Sequence, residues 1–199
     1  IERSATQPLA HAANRPLFDI LQGWSAIAQH LFVWDYTENL DSIFVPHPNA
    51  PVFSPDLRTY ARHKVIGVFT EGDNYNPTFG DRAMRNYVLN HLLWDPELDA
   101  DALAAEFING YYGSAAPMVA AVVTRVNEAA AATRISCYKA GMAAPFLDLP
   151  TMNWITGQLD RAGYAVAQDT VAADRLARFR LQFEHQWLRL HRAYLEVAE

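Results

Sequence analysis

Two stretches of the chain share one pattern of apolar and polar positions. Val65 to Tyr75, VIGVFTEGDNY, is an apolar run that ends in a carboxylate, Glu71, and breaks into the polar residues Gly72, Asp73 and Asn74. Leu31 to Asn39, LFVWDYTEN, is likewise an apolar and aromatic run leading into Asp35 and Glu38. Each reads as a short strand, Leu31 to Tyr36 and Val65 to Thr70, and each follows a helical pattern. Ahead of the first strand, Asn14 and Pro16 mark a helix start. Leu17, Ile20, Leu21, Trp24, Ile27 and Ala28 then follow at spacings of three and four. Ahead of the second, Ser54-Pro55 predicts a helix running to about Lys64. Strands separated by helices predict parallel pairing through helical crossovers. In such folds the loops beyond the strands' C-terminal ends form the active site.

The pattern changes near residue 80, after which only helices are predicted. Asp81 opens one with Met84, Tyr87, Val88, His91 and Leu92 on a face, stopped by Asp95-Pro96. Others are expected over about 99–112, 115–139 and 151–168, with Asp169 capping a last helix to the C-terminus. Between the strands, Thr37 to Phe53 reads as a long loop with Pro46, Pro48 and Pro51, apolar enough to be ordered. Two strands do not make a closed parallel sheet. The expectation is therefore an α/β chain: residues 1–79 as the C-terminal βα units of a barrel with its other strands upstream of Ile1, then a helical region over 80–199.

Composition narrows the function classes. Half of the 199 residues are hydrophobic and under a fifth are charged, a globular balance. The net charge of -6 argues against broad nucleic-acid binding, which needs a basic face. Cys137 is the single cysteine, which excludes an internal disulfide and a cysteine-based zinc site. It fits a reducing compartment or a secreted or periplasmic protein held by its core. No apolar run approaches a membrane span, and any targeting segment would lie upstream of Ile1. The histidines show no HxxxH or HExxH spacing, and no GxGxxG, GxxxxGK or GxSxG motif occurs, so no metal or cofactor is expected.

Glu71 is the sharpest chemical candidate. A carboxylate at a strand end, before a glycine that allows a tight turn, suits acid/base work or the holding of sugar hydroxyls. The competing reading is a solvated strand-end charge or a cap. Alternation puts Val65, Gly67, Phe69 and Glu71 on one face of their strand, and Phe32, Trp34 and Tyr36 on one face of the other. Trp34 and Tyr36 would then form an aromatic wall beside Glu71, unless Trp34 packs under the helices. Asp35 faces the other way or turns inward at the strand end; the pattern leaves both open. Glu38, His47, Asp73, Asn74 and Tyr75 lie on the two loops beyond the strands and together resemble the lining of a polar-substrate pocket. The stripe Phe179, Phe183, Trp187, Leu190 and Tyr194 is a packing face.

The order VWDYTEN, FVPHPNAPVFSPDLRTY, VIGVFTEGD and YVLNHLLWDPELDADALAAEFINGYYG resembles one family closely, over about residues 9 to 125. It is the glycoside-hydrolase-like family called domain of unknown function 4838. The resemblance implies a TIM (β/α)8-type barrel related to those of hexosaminidases and α-glucuronidases, acting on carbohydrate. FTEG is similar to the end of the final hexosaminidase strand, whose glutamate holds sugar hydroxyls, which implies that role for Glu71. Trp34 is similar to their sugar-stacking tryptophan. The likeness places the general acid upstream of Ile1, and Phe69 departs from the tryptophan found two residues before that glutamate. The function implied is glycosidic bond hydrolysis by paired carboxylates, with Glu71 and Asp35 as the carboxylates in this chain. The alternatives are a glycan-binding protein without catalysis and a helical scaffold.

Overall fold

A computed structural model describes residues 3–72, 78–138 and 143–198. The α-helices are α1 (Arg15–Ile27), α2 (Ala50–Arg62), α3 (Arg82–Trp94), α4 (Ala100–Tyr112), α5 (Ala116–Ala130), α6 (Leu149–Ala165) and α7 (Thr170–Ala198). The strands β1 (Leu31–Tyr36) and β2 (Val65–Glu71) pair in parallel, joined by α2. The expected barrel portion is not what the chain forms. The described residues are mostly helical and hold one sheet of two strands. Strand–helix alternation predicts pairing between neighbours, but closure needs a strand number that two strands do not supply.

Local chemistry explains the element boundaries. Pro16 stands in the first turn of α1, where its missing N–H costs nothing. Asn14 does not cap that helix. It is buried and instead accepts from Ser4 N–H at 2.6 Å and donates to the carbonyls of Ser4, Gln7 and Pro8, folding the N-terminal segment onto itself. Pro51, not Pro55, occupies the first turn of α2, which therefore begins at Ala50, inside the expected loop. Asp99 caps α4 by accepting from the N–H groups of Asp101 and Ala102, and Gly113, at φ +52°, ends it in a conformation that favours glycine. Asp148 caps α6 through Thr151 N–H, so Thr151 is inside the helix. Asp169 caps α7 as expected.

The pairing aligns Phe32 with Gly67, Trp34 with Phe69 and Tyr36 with Glu71. A register shift between Leu31 and Phe32 leaves Ile66 as an extra residue on β2. It turns Val65 toward the core with Leu31, Val33 and Val68, away from the Gly67–Phe69–Glu71 face where strict alternation puts it. That core continues through Phe53, Leu57 and Tyr60 of α2 and Val88, Leu89 and Leu92 of α3. A second core gathers α4 to α7 around Val119, Met152, Ile155, Leu159 and Phe179. The α7 stripe closes it, with Phe179, Phe183 and Tyr194 buried and Trp187 and Leu190 packed alongside. Among the described residues, no helix is long and apolar enough to cross a membrane.

Candidate functional site

The outer face of the sheet is aromatic and uncovered. Phe32, Trp34 and Phe69 are 77%, 64% and 58% exposed, which rules out packing under the helices for Trp34. Phe32 lies over Gly67, where a Cβ would come within 2.7 Å of its ring and would have to displace it. Further up the strands, Phe69 meets Trp34 edge-on at 4.8 Å between ring centroids, and Tyr36 stacks beside Trp34 at 6.5 Å. At the strand ends the indole N–H of Trp34 donates to Glu71 Oε2 at 2.7 Å. This is a charge-assisted bond at the short end of its range. It fixes the ring and the carboxylate to one another, and among the described residues no other group donates to the Glu71 side chain.

Tyr138 completes the wall, and it comes from the far side of the sequence. Its ring meets Tyr36 edge-on at 5.1 Å. A hydrogen bond with Tyr36, and then burial, push the Tyr138 hydroxyl up to about 12, so it stays protonated as a donor. The expected helix over 115–139 stops at Ala130. Beyond it the chain is held by Leu40 N–H donating to Cys137 O at 2.7 Å and Ala5 N–H to Ile135 O at 2.6 Å. A cleft of about 260 Å³ is lined by Trp34, Asp35, Tyr36, Cys137 and Tyr138 together with Arg3, Ala5 and Leu17.

Of the predicted site residues, the structure brings together Trp34, Tyr36 and Glu71. Asp35 takes the first of the two orientations left open: it borders the cleft, but its carboxylate is engaged away from Glu71. Its carboxylate accepts from Arg3 at 3.3 Å and from the Tyr60 hydroxyl at 3.1 Å, and Arg3 also bonds Asp56 at 2.6 Å. Burial first, and then Asp35, raise the Tyr60 hydroxyl well above its ordinary value. Glu38 is buried between two guanidinium groups, with Arg82 at 3.1 Å and Arg85 at 2.7 Å. Arg85 further donates to Thr37 O, Asn49 Oδ1 and Asp81. Burial works to lower the Arg85 pKa, but Asp81 and Glu38 more than offset it and hold the group above its ordinary value. His47 is fully buried, and among the described residues neither ring nitrogen has a hydrogen-bond partner. Burial, then the charges of Arg85, Arg3 and Arg82, push it down to about 3, so it is neutral. Asp73, Asn74 and Tyr75 lie outside the described residues. No group of three or more potential metal ligands occurs among the described residues.

Sequence reasoning missed Tyr138 and Arg3. Neither carries a periodic or motif signal; only tertiary pairing of residues 131–138 with the N-terminal segment brings Tyr138 to the sheet. The family model for a domain of unknown function, DUF4838, matches residues 1–124, and the chain belongs to that family. No curated protein and no solved structure matches the chain.

Proposed function

We propose that the outer face of the sheet binds carbohydrate. The observation that carries this reading is the exposed Trp34 ring hydrogen-bonded to Glu71, flanked by Phe69, Tyr36 and Tyr138. A sugar offers an apolar ring face and a rim of hydroxyls. Exposed aromatic faces match the first and a carboxylate the second. Trp34 stacks on the ring, Glu71 accepts from its hydroxyls through the oxygen not engaged by the indole, and Tyr138 supplies a further aromatic edge and a phenolic oxygen that can accept. Hydrolysis by paired carboxylates, which the family resemblance implied, needs a second carboxyl about 5–10 Å away. Among the described residues only Glu71 serves at this face, because Asp35 is turned into the Arg3–Tyr60 network. The proposal is therefore for binding.

The test is titration of the chain with a panel of aryl glycosides and uronides, followed by tryptophan fluorescence and calorimetry. Glu71→Gln keeps an acceptor for the indole but removes the charge. A charged hydrogen bond contributes about 1.5–3 kcal/mol, so affinity should fall about ten- to a hundredfold. Trp34→Ala should abolish measurable binding. Melting temperatures should stay unchanged, because both side chains face solvent. Binding unaffected by either substitution, or no binding at millimolar sugar, refutes the proposal. Turnover of an aryl glycoside that is lost in Glu71→Gln would extend it from binding to hydrolysis.

A further inference from the structure

The polar edge of the aromatic face carries negative charge, and among the described residues no cation balances it. One carboxylate oxygen of Glu71 holds the Trp34 indole N–H, and the other is unengaged. Arg3 is the one guanidinium along the adjoining cleft, and two carboxylates already hold it, Asp35 at 3.3 Å and Asp56 at 2.6 Å. That cluster has no positive charge left to offer a ligand. Tyr138 is bonded to Tyr36 through its phenol, and Glu71 is one of the charges acting on the same hydroxyl, so these groups share one edge. Glu71 and Tyr138 therefore present acceptors, and of the described polar groups at this edge only the Tyr36 hydroxyl keeps a proton to give.

The aromatic groups favour the same sign of charge. Trp34 and Phe69 are more than half exposed, Tyr36 lies at 30° to the indole plane, and Tyr138 stands edge-on to Tyr36. Ring faces carry the negative side of the aromatic quadrupole and attract cations, tryptophan most strongly. Because Glu71 is fixed at the edge of the indole, a sugar stacked on Trp34 presents one substituent of its rim to the unengaged oxygen. A hydroxyl there gives one proton and brings lone pairs toward acceptors. An ammonium gives three protons, brings no lone pair and carries the opposite charge. An N-acetyl group gives one uncharged N–H, and a carboxylate meets like charge.

We propose, resting on the carbohydrate reading above, that the preferred ligand of this face is an amino sugar with a free ammonium group, its ring stacked on Trp34 and its ammonium on Glu71. Neutral sugars bind the same face more weakly, and uronic acids more weakly still. The selectivity resides in Glu71, while the stacking on Trp34 is common to all of them.

The test is calorimetric titration of the whole chain at pH 6, where a sugar amine is protonated. The ligands are an aryl glucosaminide, N-acetylglucosaminide, glucoside and glucuronide that share one aglycone. The glucosaminide should bind about tenfold more tightly than the glucoside, and the glucuronide more weakly than either. In Glu71→Gln the advantage of the amine over the glucoside should vanish, with the melting temperature unchanged. Cyclohexylamine, an ammonium without hydroxyls, should bind at least tenfold more weakly than the glucosaminide. A glucosaminide that binds no more tightly than the glucoside, while Trp34→Ala abolishes both, overturns this inference and leaves the carbohydrate reading standing. An advantage of the amine that survives in Glu71→Gln overturns it in the same way. Equal binding of cyclohexylamine overturns it too, because the face would then hold cations without regard to the sugar. If none of the four glycosides binds at millimolar concentration, the carbohydrate reading itself fails and this inference falls with it.

Discussion

Replacing Glu38 by alanine should destabilise the protein severely while leaving the outer face of the sheet intact. The Glu38 carboxylate is fully buried and receives Arg82 Nε on one oxygen and Arg85 Nη2 on the other, at 3.1 and 2.7 Å. Both guanidinium side chains are themselves about 3% exposed. Removing the carboxylate takes the negative charge from between two buried guanidinium groups. Arg85 keeps Asp81 at 2.9 Å and the carbonyl of Thr37, so part of its compensation survives; Arg82 keeps the carbonyl of Ile43. Breaking a buried ion pair by deleting one partner costs about 3–5 kcal/mol. For a chain of this size 1 kcal/mol corresponds to roughly 2–4 °C in melting temperature, so the loss should be about 6–20 °C. Glu38→Gln, which retains hydrogen-bonding atoms but no charge, should fall between wild type and alanine. Urea unfolding measures the difference, and repeating it in 1 M salt adds a second check, because counterions screen exposed pairs and not buried ones. A loss below 1 kcal/mol, or one that disappears in high salt, would refute the argument and return Glu38 to a solvated site.

His47 gives a pH dependence. Its folded pKa of about 3 lies below the ordinary 6.5, so below pH 6.5 the unfolded chain binds a proton that the folded chain refuses. Stability is therefore lost as pH falls from 6.5 toward 3. At pH 5 the loss from this residue is about 2 kcal/mol, and the drop in urea stability between pH 7.5 and pH 5 should shrink by about that amount in His47→Leu. An equal drop in both proteins would show that the site is hydrated. Asp35→Asn should lower stability by about 1–2 kcal/mol, through the weakened contacts with Arg3 and Tyr60, and leave sugar affinity within twofold. A sugar-binding loss with unchanged melting temperature would put Asp35 back in the site.

What was legible in the sequence was what depends on near neighbours. Asn14 and Pro16 place the start of α1, the α7 stripe shows its packed face, and alternation puts Trp34, Tyr36 and Glu71 on one face of two parallel strands. Even there, the extra residue Ile66 breaks strict alternation, because a register shift depends on the partner strand. Glu38 and His47 looked like loop polar residues because nothing nearby reveals that Arg82 and Arg85 fold over them from α3. The alanine run before residue 133 has helix propensity throughout, yet α5 ends at Ala130 and the chain turns back to the N-terminal segment; tertiary pairing overrides a weak local preference. The barrel expectation extended a two-strand pattern beyond the strands present.

The pairing of residues 131–138 with the start of the chain also bears on how the platform assembles. Thr6 donates to Thr133 O and Gln7 to Ala131 O, contacts separated by 127 and 124 residues. The strands themselves meet across the loop and helix of residues 37–64. Contacts so distant in sequence form only after a long loop has closed, and their entropic cost is met late. Trp34 and Glu71 are therefore joined by a contact of modest sequence separation, whereas Tyr138 depends on closing the much longer loop between residues 7 and 131. The Tyr138 side chain thus depends on a contact between the N-terminal segment and the chain beyond α5.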